Sequence, residues 1–383
     1  MQLKRRHCWT QFAKQAFWLL LVALLIFLLR HIWPNITAGN SGPSKVEGLQ
    51  TDKSIVNTSI SIWTTLWTSF DSGTALETPK LATTNQSEVG DPAPVRRTEI
   101  QGLFPYIINE PVKCRQSLTA PFLVFIIATE ALQVEARDAI RQTWGNENLI
   151  RGVPVVRIFL LGKDEGEAVS RQQQMLQEES RKYHDIIQQD FLDSYNNLTL
   201  KTLMGLHWVA RYCSRASYVM KTDSDMFINT ENLIRKLLRP ELKPKTNYFT
   251  GRVIRNNAPI RDRKSKWYVS KQEYPNLMYP TFCSGTGYVL SGDLALKIYT
   301  TSPSVRQLHL EDVHVALCVA KLGLEPIDPP SHFLFNHWRV PFKGCDYNRL
   351  LTSHGFQPWE IIQYWSMLLS NKTKCATSLN YSS

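Results

Sequence analysis

Short apolar runs that alternate with longer mixed stretches constrain the fold of this chain more than any other feature. The runs are rich in β-branched residues, which is typical of buried strands. The predicted strands are residues 122–128, 155–161 and 218–222. The predicted helices are residues 135–144, 165–183 and 200–212. Alternating strands and helices indicate a layered α/β domain with a largely parallel sheet, in which ligands bind at the carboxyl ends of the strands.

Size and composition indicate one large domain with appendages. With 383 residues, of which 43% are hydrophobic and 20% charged, the chain can bury a sizeable core. The net charge of +11 suits an anionic partner, but neither a zinc-finger spacing nor an aromatic-basic RNA platform is present in the sequence. A nucleic-acid partner is therefore not predicted.

An apolar run near the N-terminus predicts a membrane anchor. Four basic residues precede the uninterrupted apolar run 16–29, and only Arg30 follows it before Lys45. The run alone would suit a cleaved signal peptide, which is the alternative. Flanking residues that reach the interfaces extend it to about 20 residues, the length that spans a bilayer. We therefore predict a cytosolic tail at 1–15, an uncleaved signal-anchor at 16–33 and a lumenal body.

The composition after the anchor changes at about residue 105. Residues 34–104 are rich in Ser, Thr and Asn, which is typical of a stem, and residues 105–383 are predicted to form the folded domain. Asn-x-Ser/Thr sequons support exposure to the lumen, although Asn35 lies too near the predicted membrane. The predicted glycosylation sites are Asn57, Asn85, Asn197, Asn371 and Asn380.

Cysteine usage also favours an oxidising compartment. Of the 7 cysteines, all but Cys8 lie on the predicted lumenal side, which suggests disulfides. Their wide spacing excludes a C-x-x-C metal ribbon, and the sequence leaves their pairing open.

Two carboxylates end the predicted strand at 218–222. Asp223 and Asp225 alternate with Ser224, so both are predicted to point to one side. Such carboxylates suit a hard divalent cation that bridges a diphosphate. An isolated Asp-x-Asp is more often a turn or an N-cap, here before a helix start at Asn229.

Other charged residues have two interpretations each. Arg137 and Arg141 lie at i and i+4 on one helical face, where they can hold a nucleotide phosphate or form a solvated cationic face. Glu311 and Asp312 open an apolar stretch, so one of them is either a general base or a favourable acid at a helix N-terminus.

Small residues and histidines are less informative. Gly285, Thr286 and Gly287 let a backbone approach a ligand closely, but a tight turn explains them equally well. His337 and His354 are isolated histidines, which are more often core or surface residues than ligands. The sequence contains no nucleophilic triad, P-loop or Rossmann glycine fingerprint.

Seven motifs occur in an order that resembles the vertebrate beta-1,3-galactosyltransferase family. The resemblance extends from about Pro105 to Trp365, whereas the stem and anchor are similar only in character. The motifs are residues 137–144, 159–162, 185–187, 197–199, 223–225, 283–287 and 311–313.

The resemblance implies a GT-A (Rossmann-like) fold and an inverting, single-displacement transfer. The donor would be UDP-galactose with Mn²⁺ (or Mg²⁺), and the acceptor a terminal N-acetylglucosamine of a glycan. The resemblance also implies a single-pass type II enzyme of the Golgi membrane, and it leaves the oligomeric state open, a homo-oligomer included.

Roles for individual residues follow from the resemblance. Asp312 resembles the general base, and Asp223 and Asp225 resemble the metal motif, with Asp225 the direct ligand and His354 completing the site. The nucleotide-sugar would contact Arg137, Arg141, Asp223, Ser224 and Asp225. The acceptor or sugar pocket would include Trp267, Tyr279, Gly285, Thr286, Gly287 and Glu311, with a core role the alternative for Trp267 and Tyr279.

Two other functions remain open from the sequence. The first is a sibling transferase that uses UDP-N-acetylglucosamine, whose metal motif more often reads Asp-Asp-Asp, so that Ser224 favours galactose. The second is a non-catalytic chaperone or lectin-like member. The presence of Asp223, Asp225 and Asp312 argues against it, because a binding module has no need of a full metal-plus-base set.

Overall fold

The computed structural model describes residues 104–115, 119–164 and 169–379, with side chains at residues 104–115, 119–164 and 171–370. The predicted cytosolic tail, signal-anchor and, apart from Phe104, stem lie outside these residues. So do Asn57, Asn85, Asn380 and the side chain of Asn371. Within the described ranges, no helix combines the length and the apolar character needed to cross a membrane.

The strands form one seven-stranded sheet and one two-stranded sheet. The strands are β1 Tyr106–Ile108, β2 Leu123–Ala128, β3 Val155–Lys163, β4 Ile186–Leu192, β5 Tyr218–Asp223, β6 Met226–Ile228, β7 Phe249–Ile254, β8 Phe282–Ser291 and β9 Thr352–His354. The larger sheet has the order β1-β4-β3-β2-β5-β8-β7, and β6 pairs with β9.

The larger sheet is mixed rather than largely parallel. Strands β2, β3, β4 and β5 run parallel, whereas β1, β7 and β8 pair antiparallel with their neighbours. The predicted strands correspond to β2, β3 and β5. The alternative of a tight turn at 283–287 is wrong, because these residues lie within the extended strand β8.

Six helices of nine residues or more lie in the described ranges. They are α1 Val134–Gln142, α2 Val169–Tyr183, α3 Leu198–Tyr212, α4 Gly292–Thr301, α5 Glu311–Lys321 and α6 Pro358–Leu379. Helices α1, α2 and α3 correspond to the predicted ones. Single turns of 3-10 helix lie at Lys113–Arg115, Tyr195–Asn197, Ser302–Ser304 and Gly344–Asn348, and a short helix, Thr230–Asn232, continues as a π-helix, Leu233–Leu238.

Both faces of the parallel strands are buried, because alternate residues enter two separate apolar clusters. On β2, Phe125 and Ile127 pack in a cluster with Trp144 and residues of α6. Val124 and Ile126 pack in the other cluster, with residues of α3, α4 and α5. The result is a sheet between two helical layers, in which a continuous apolar run forms each central strand.

Disulfide and ion-pair contacts tie distant segments together. Cys114 pairs with Cys213, and Cys345 is also disulfide-bonded. Asp185, which has 0% exposure, accepts from Arg141 Nη2 at 2.8 Å and from Arg157 Nη2 at 2.6 Å. Burial alone would raise the pKa of Asp185, but the two guanidinium groups outweigh it and lower the pKa.

Asp185→Asn is expected to reduce the free energy of unfolding by about 3 kcal/mol, because two buried guanidinium groups lose their shared anion. Urea unfolding followed by circular dichroism measures the change. Asp190→Asn is the matched control, since Asp190 is 48% exposed and pairs with Lys163 at 3.3 Å. We expect it to change the free energy by less than about 0.5 kcal/mol. Equal effects of the two substitutions would contradict the argument.

Candidate active site

The carboxyl ends of β2 and β5 lie side by side, with Ala128 paired to Asp223. Asp223 ends β5, Ser224 donates its backbone N–H to Ala128 O at 3.1 Å, and Asp225 precedes β6. Burial raises the pKa of Asp223, the Lys221 ammonium opposes this, and the Asp225 carboxylate adds to it. Two interacting carboxylates therefore stand at the strand end that the sequence indicated.

Lys221, two residues before Asp223, connects three elements around the site. The side chain of Lys221 is 2% exposed. Its Nζ donates to Asp223 Oδ1 at 2.8 Å and to Gly285 O at 2.6 Å, and it lies 3.2 Å from Glu311 Oε2. Burial alone would lower the pKa of Lys221, but the two carboxylates outweigh it and raise the pKa. Lys221 therefore stays charged and joins β5, β8 and α5.

Asp312 lies in the first turn of α5, where two backbone groups hold its carboxylate. The Gly285 N–H donates to Oδ2 at 3.0 Å, and the Val313 N–H donates to Oδ1 at 2.9 Å. Burial, together with the neighbouring Glu311, raises the pKa of Asp312 to about 6. The group is thus ionised at neutral pH but is a stronger base than an ordinary aspartate.

The close approach of β8 to α5 leaves little room for a side chain at position 285 and so favours glycine there. A Cβ there would lie 3.1 Å from Glu311 Oε2 and 3.4 Å from Asp312 Oδ2. Beyond Gly285, Thr286 O accepts from Thr222 Oγ1 at 3.0 Å, and Gly287 pairs with Thr222. The predicted small-residue segment therefore lies beside the two carboxylates of α5.

Glu311 is engaged within the protein rather than presented to a ligand. Its Oε1 accepts from the Tyr288 hydroxyl at 2.5 Å, and its Oε2 faces Lys221. Both groups lie on the sheet, so Glu311 fixes the start of α5 against it. This placement moves Glu311 from the predicted sugar pocket to a supporting position next to Asp312.

Asp225 and His354 form the part of the site that suits a cation. The pairing of β6 with β9 sets Met226 opposite His354, and Asp225 Oδ2 lies 3.1 Å from His354 Nε2. Within the described ranges, no group of three or more His, Cys, Asp or Glu side chains is close enough to hold a metal ion. The carboxylate-imidazole pair fits a divalent cation that takes its other ligands from substrate phosphates.

Arg137 and Arg141 are used within the fold. Arg137 donates to both oxygens of Glu179 and to the carbonyls of Glu130 and Ala131. Arg141 pairs with Asp185, Glu179 and Asp138. Each guanidinium group uses four of its five N–H donors within the protein, and both side chains are buried, so neither is presented to a phosphate. Arg137 instead supports the loop between β2 and α1, which borders the site.

A cavity of about 440 Å³ lies between this loop and the carboxylates. Gln133 joins the loop to β5, because its Oε1 accepts from Ser224 Oγ at 2.8 Å. The residues that line the cavity are Leu132, Gln133, Val134, Glu135, Ala136, Ser224, Asp225, Phe356, Gln357 and Pro358.

The two predicted aromatic residues differ in position. Trp267 is 48% exposed, and the Lys266 ammonium lies over its ring and over that of the exposed Tyr195. Burial raises the pKa of Tyr195, a hydrogen bond with Trp267 lowers it, and the Asp312 carboxylate raises it, so this aromatic pair lies near Asp312. Tyr279 is 8% exposed and packs with core aromatic residues, so its ring cannot stack on a sugar.

Asn197 is the predicted glycosylation site whose side chain the structure describes. Its Nδ2 donates to the Leu192 carbonyl at 2.8 Å, and the residue lies in a 3-10 turn before α3.

Comparison with known proteins assigns the family. Residues 135–330 match the Galactosyltransferase family, and residues 45–124 match Beta-1,3-galactosyltransferase 2 N-terminus. Beta-1,3-galactosyltransferase 1 of Mus musculus is 51% identical over 269 residues, which are 70% of this chain and 80% of that protein. The chain belongs to the beta-1,3-galactosyltransferase family. This confirms the resemblance that the ordered motifs carried.

Two further relatives are Beta-1,3-galactosyltransferase 2 of Mus musculus and of Homo sapiens. Each is 57% identical over 279 residues, which are 72% of this chain. The matched region spans 65% of the length of these relatives. Among solved structures, the WbbM bifunctional glycosyltransferase aligns with a TM-score of 0.34 and 11% identity over 67% of this chain and 50% of that chain.

The structure adds residues that the sequence did not indicate for this member of the beta-1,3-galactosyltransferase family. Lys221 and Asp223 are separated by one residue on β5, so the alternation of a strand was a signal for Lys221. Gln133 gave no signal, because its contact with Ser224 arises only when β2 and β5 pair. No sequence signal indicated Tyr288 either, because its partner Glu311 lies on another element.

Glu311→Gln is expected to lower the pKa of Asp312 from about 6, because a negative charge beside its carboxylate is removed. Carbon-13 NMR titration of protein labelled at its aspartate carboxyls measures the shift. The exposed Glu325 supplies the control, and Glu325→Gln should leave that pKa unchanged. A pKa that stays constant or rises in Glu311→Gln would refute the role of Glu311.

Proposed function

We propose that this chain transfers galactose from UDP-galactose to the 3-hydroxyl of a terminal N-acetylglucosamine, with inversion to a beta-1,3 linkage. The observation that carries the proposal is the Asp312 carboxylate, held by two N–H groups and connected through Gly285 and Lys221 to the strand that ends in Asp223. Family membership supports galactosyl transfer. The mixed sheet supports a GT-A type of fold, with the carboxylates of Asp223 and Asp225 at the end of β5 and that of Asp312 at the start of α5.

Asp312 serves as the general base in this proposal. It takes the proton from the acceptor hydroxyl while that oxygen attacks the anomeric carbon from the face opposite UDP. The bond to the UDP oxygen breaks as the new bond forms, and one displacement converts an alpha-linked donor to a beta product. Proton transfer of this kind contributes a rate factor of about 10² to 10⁴.

Asp225 and His354 would hold Mn²⁺ or Mg²⁺, while Asp223, the other carboxylate of the motif, is bound by Lys221. A cation there would stabilise the negative charge of the departing nucleotide. The chain itself keeps Asp225 in place, because its carbonyl accepts from the backbone N–H groups of Gly355 and Phe356 at 3.1 and 2.9 Å. Lys221 separately orients Asp223.

The cavity beside Ser224 and Asp225 would receive the uridine part of the donor. It lies next to the proposed cation site, so that a diphosphate can extend from one to the other. The exposed pair Trp267 and Tyr195 would contact the acceptor sugar, because sugars pack against aromatic rings and both residues lie on the side of Asp312.

The cellular setting is also a proposal: a single-pass type II protein of the Golgi membrane, with residues 16–33 as the anchor and the catalytic domain in the lumen. The disulfide between Cys114 and Cys213 supports it, because such bonds persist in oxidising compartments.

Asp312→Asn is expected to reduce kcat by about 10²- to 10⁴-fold, with UDP affinity unchanged. In the unaltered enzyme, kcat/KM should be highest above the pKa of Asp312, about 6, and fall as the pH drops through it, because protonation removes the base. Initial rates at a series of pH values measure this limb. If the residual activity of Asp312→Asn showed the same fall in kcat/KM at acidic pH, Asp312 would not be the base.

Transfer by the full chain with Mn²⁺ and an N-acetylglucosamine-terminated acceptor should occur from UDP-galactose and not from UDP-N-acetylglucosamine. Asp225→Ala and a chelator should each abolish it, because both remove the cation site. Mass spectrometry of the product identifies the sugar transferred. Transfer from UDP-N-acetylglucosamine instead would refute the donor, and full activity of Asp225→Ala would refute the site.

A further inference from the structure

The side-chain amide of Gln133 has a fixed orientation. Its Oε1 accepts from the Glu130 backbone N–H at 3.3 Å, the Thr129 hydroxyl at 3.1 Å and the Ser224 hydroxyl at 2.8 Å. A backbone N–H can only donate, so the amide atom that faces Glu130 is the oxygen. The NH₂ group therefore points elsewhere, and no residue of the described ranges accepts from it.

The cavity lined by Gln133 suits an uncharged ring. Its apolar walls are Leu132, Val134, Ala136, Phe356 and Pro358. The charged side chains in its lining are those of Glu135 and Asp225, and no lysine or arginine lines it. Such a lining repels a phosphate and accepts a flat neutral group. The free NH₂ of Gln133 adds a hydrogen-bond donor to this surface.

We propose that Gln133 reads the nucleobase of the sugar-nucleotide donor by donating a hydrogen bond from its NH₂ group to the O4 carbonyl oxygen of uracil. The inference deepens the proposed function and rests on its UDP donor. Cytosine carries an amino group in place of one uracil carbonyl, so two donors would face each other. Ser224 takes part indirectly, because its hydroxyl donates to Oε1 and so leaves the NH₂ group available to a ligand.

Ser224 thereby links the metal motif to base selection. A carboxylate at position 224 would attract the NH₂ group of Gln133 and so turn the amide over. The NH₂ group would then face the Glu130 backbone N–H, which is also a donor. A hydroxyl instead donates to the oxygen that Glu130 already orients. The middle residue of the motif thus fixes which end of the Gln133 amide meets the ligand.

Calorimetric binding of UDP and CDP to the full chain, at constant Mn²⁺, tests the inference. The unaltered protein should bind UDP at least about tenfold more tightly than CDP. Gln133→Glu keeps the oxygen that meets Glu130, Thr129 and Ser224 but replaces the NH₂ group by an acceptor. It should weaken UDP about tenfold and strengthen CDP, so that the preference is lost or reversed.

Two further variants separate base reading from charge and from misfolding. Gln133→Met has similar length and adds no charge, and it should lose the UDP preference without favouring CDP. Gln177→Glu makes the same charge change on an exposed glutamine of α2, outside the cavity lining, and should leave the ratio of the two affinities unchanged.

The outcomes distinguish this inference from the proposed function. An unchanged affinity ratio in Gln133→Glu and Gln133→Met would overturn base reading by Gln133, while UDP binding itself survives. Loss of the preference in Gln177→Glu would also overturn it. Failure of the unaltered protein to bind UDP would overturn the donor in the proposed function, and the inference with it.

Discussion

The buried ammonium group of Lys221 is the interaction on which the arrangement of the site depends. Asp223, Glu311 and Asp312 come from the end of a strand and the start of a helix, and without a cation their charges would repel each other in a poorly solvated region. Lys221 contacts two of these carboxylates and the carbonyl of Gly285. The Lys221 Nζ atom therefore holds β5, β8 and α5 in position relative to one another.

The same arrangement gives similar carboxylates different chemistry. Asp223 and Glu311 face the charge of Lys221 directly, whereas Asp312 receives only the neutral N–H groups of Gly285 and Val313. Burial and the neighbouring Glu311 therefore prevail at Asp312 and raise its pKa to about 6. The pKa of Asp223 is raised too, by burial and by Asp225, but there the Lys221 ammonium opposes the rise.

The sequence predicts those parts of the structure that depend on residues close together in the chain, and not those that depend on contacts between distant segments. Strands β2, β3 and β5 were predictable because they are continuous apolar runs. Strand β4 was not, because the buried Gln188 and Gln189 interrupt its apolar pattern; Gln188 is accommodated by Gly162 O and Gln173.

Helix periodicity likewise put Arg137 and Arg141 on one face correctly. It carried no information that Glu179 and Asp185 would occupy that face. Asp312 could be located from its place at a helix start, but its raised pKa depends chiefly on burial, which the local sequence does not report.

The free thiols Cys283 and Cys318 have a consequence for biogenesis. Burial, with a contribution from Asp312, raises the pKa of Cys283, and burial raises that of Cys318 to about 12, so both are inert in the folded protein. In a nascent chain the same thiols are exposed and compete with Cys114 and Cys213 for oxidation. In the oxidising compartment that we propose for this protein, its yield would therefore depend on disulfide isomerisation as well as on the stability of the finished fold.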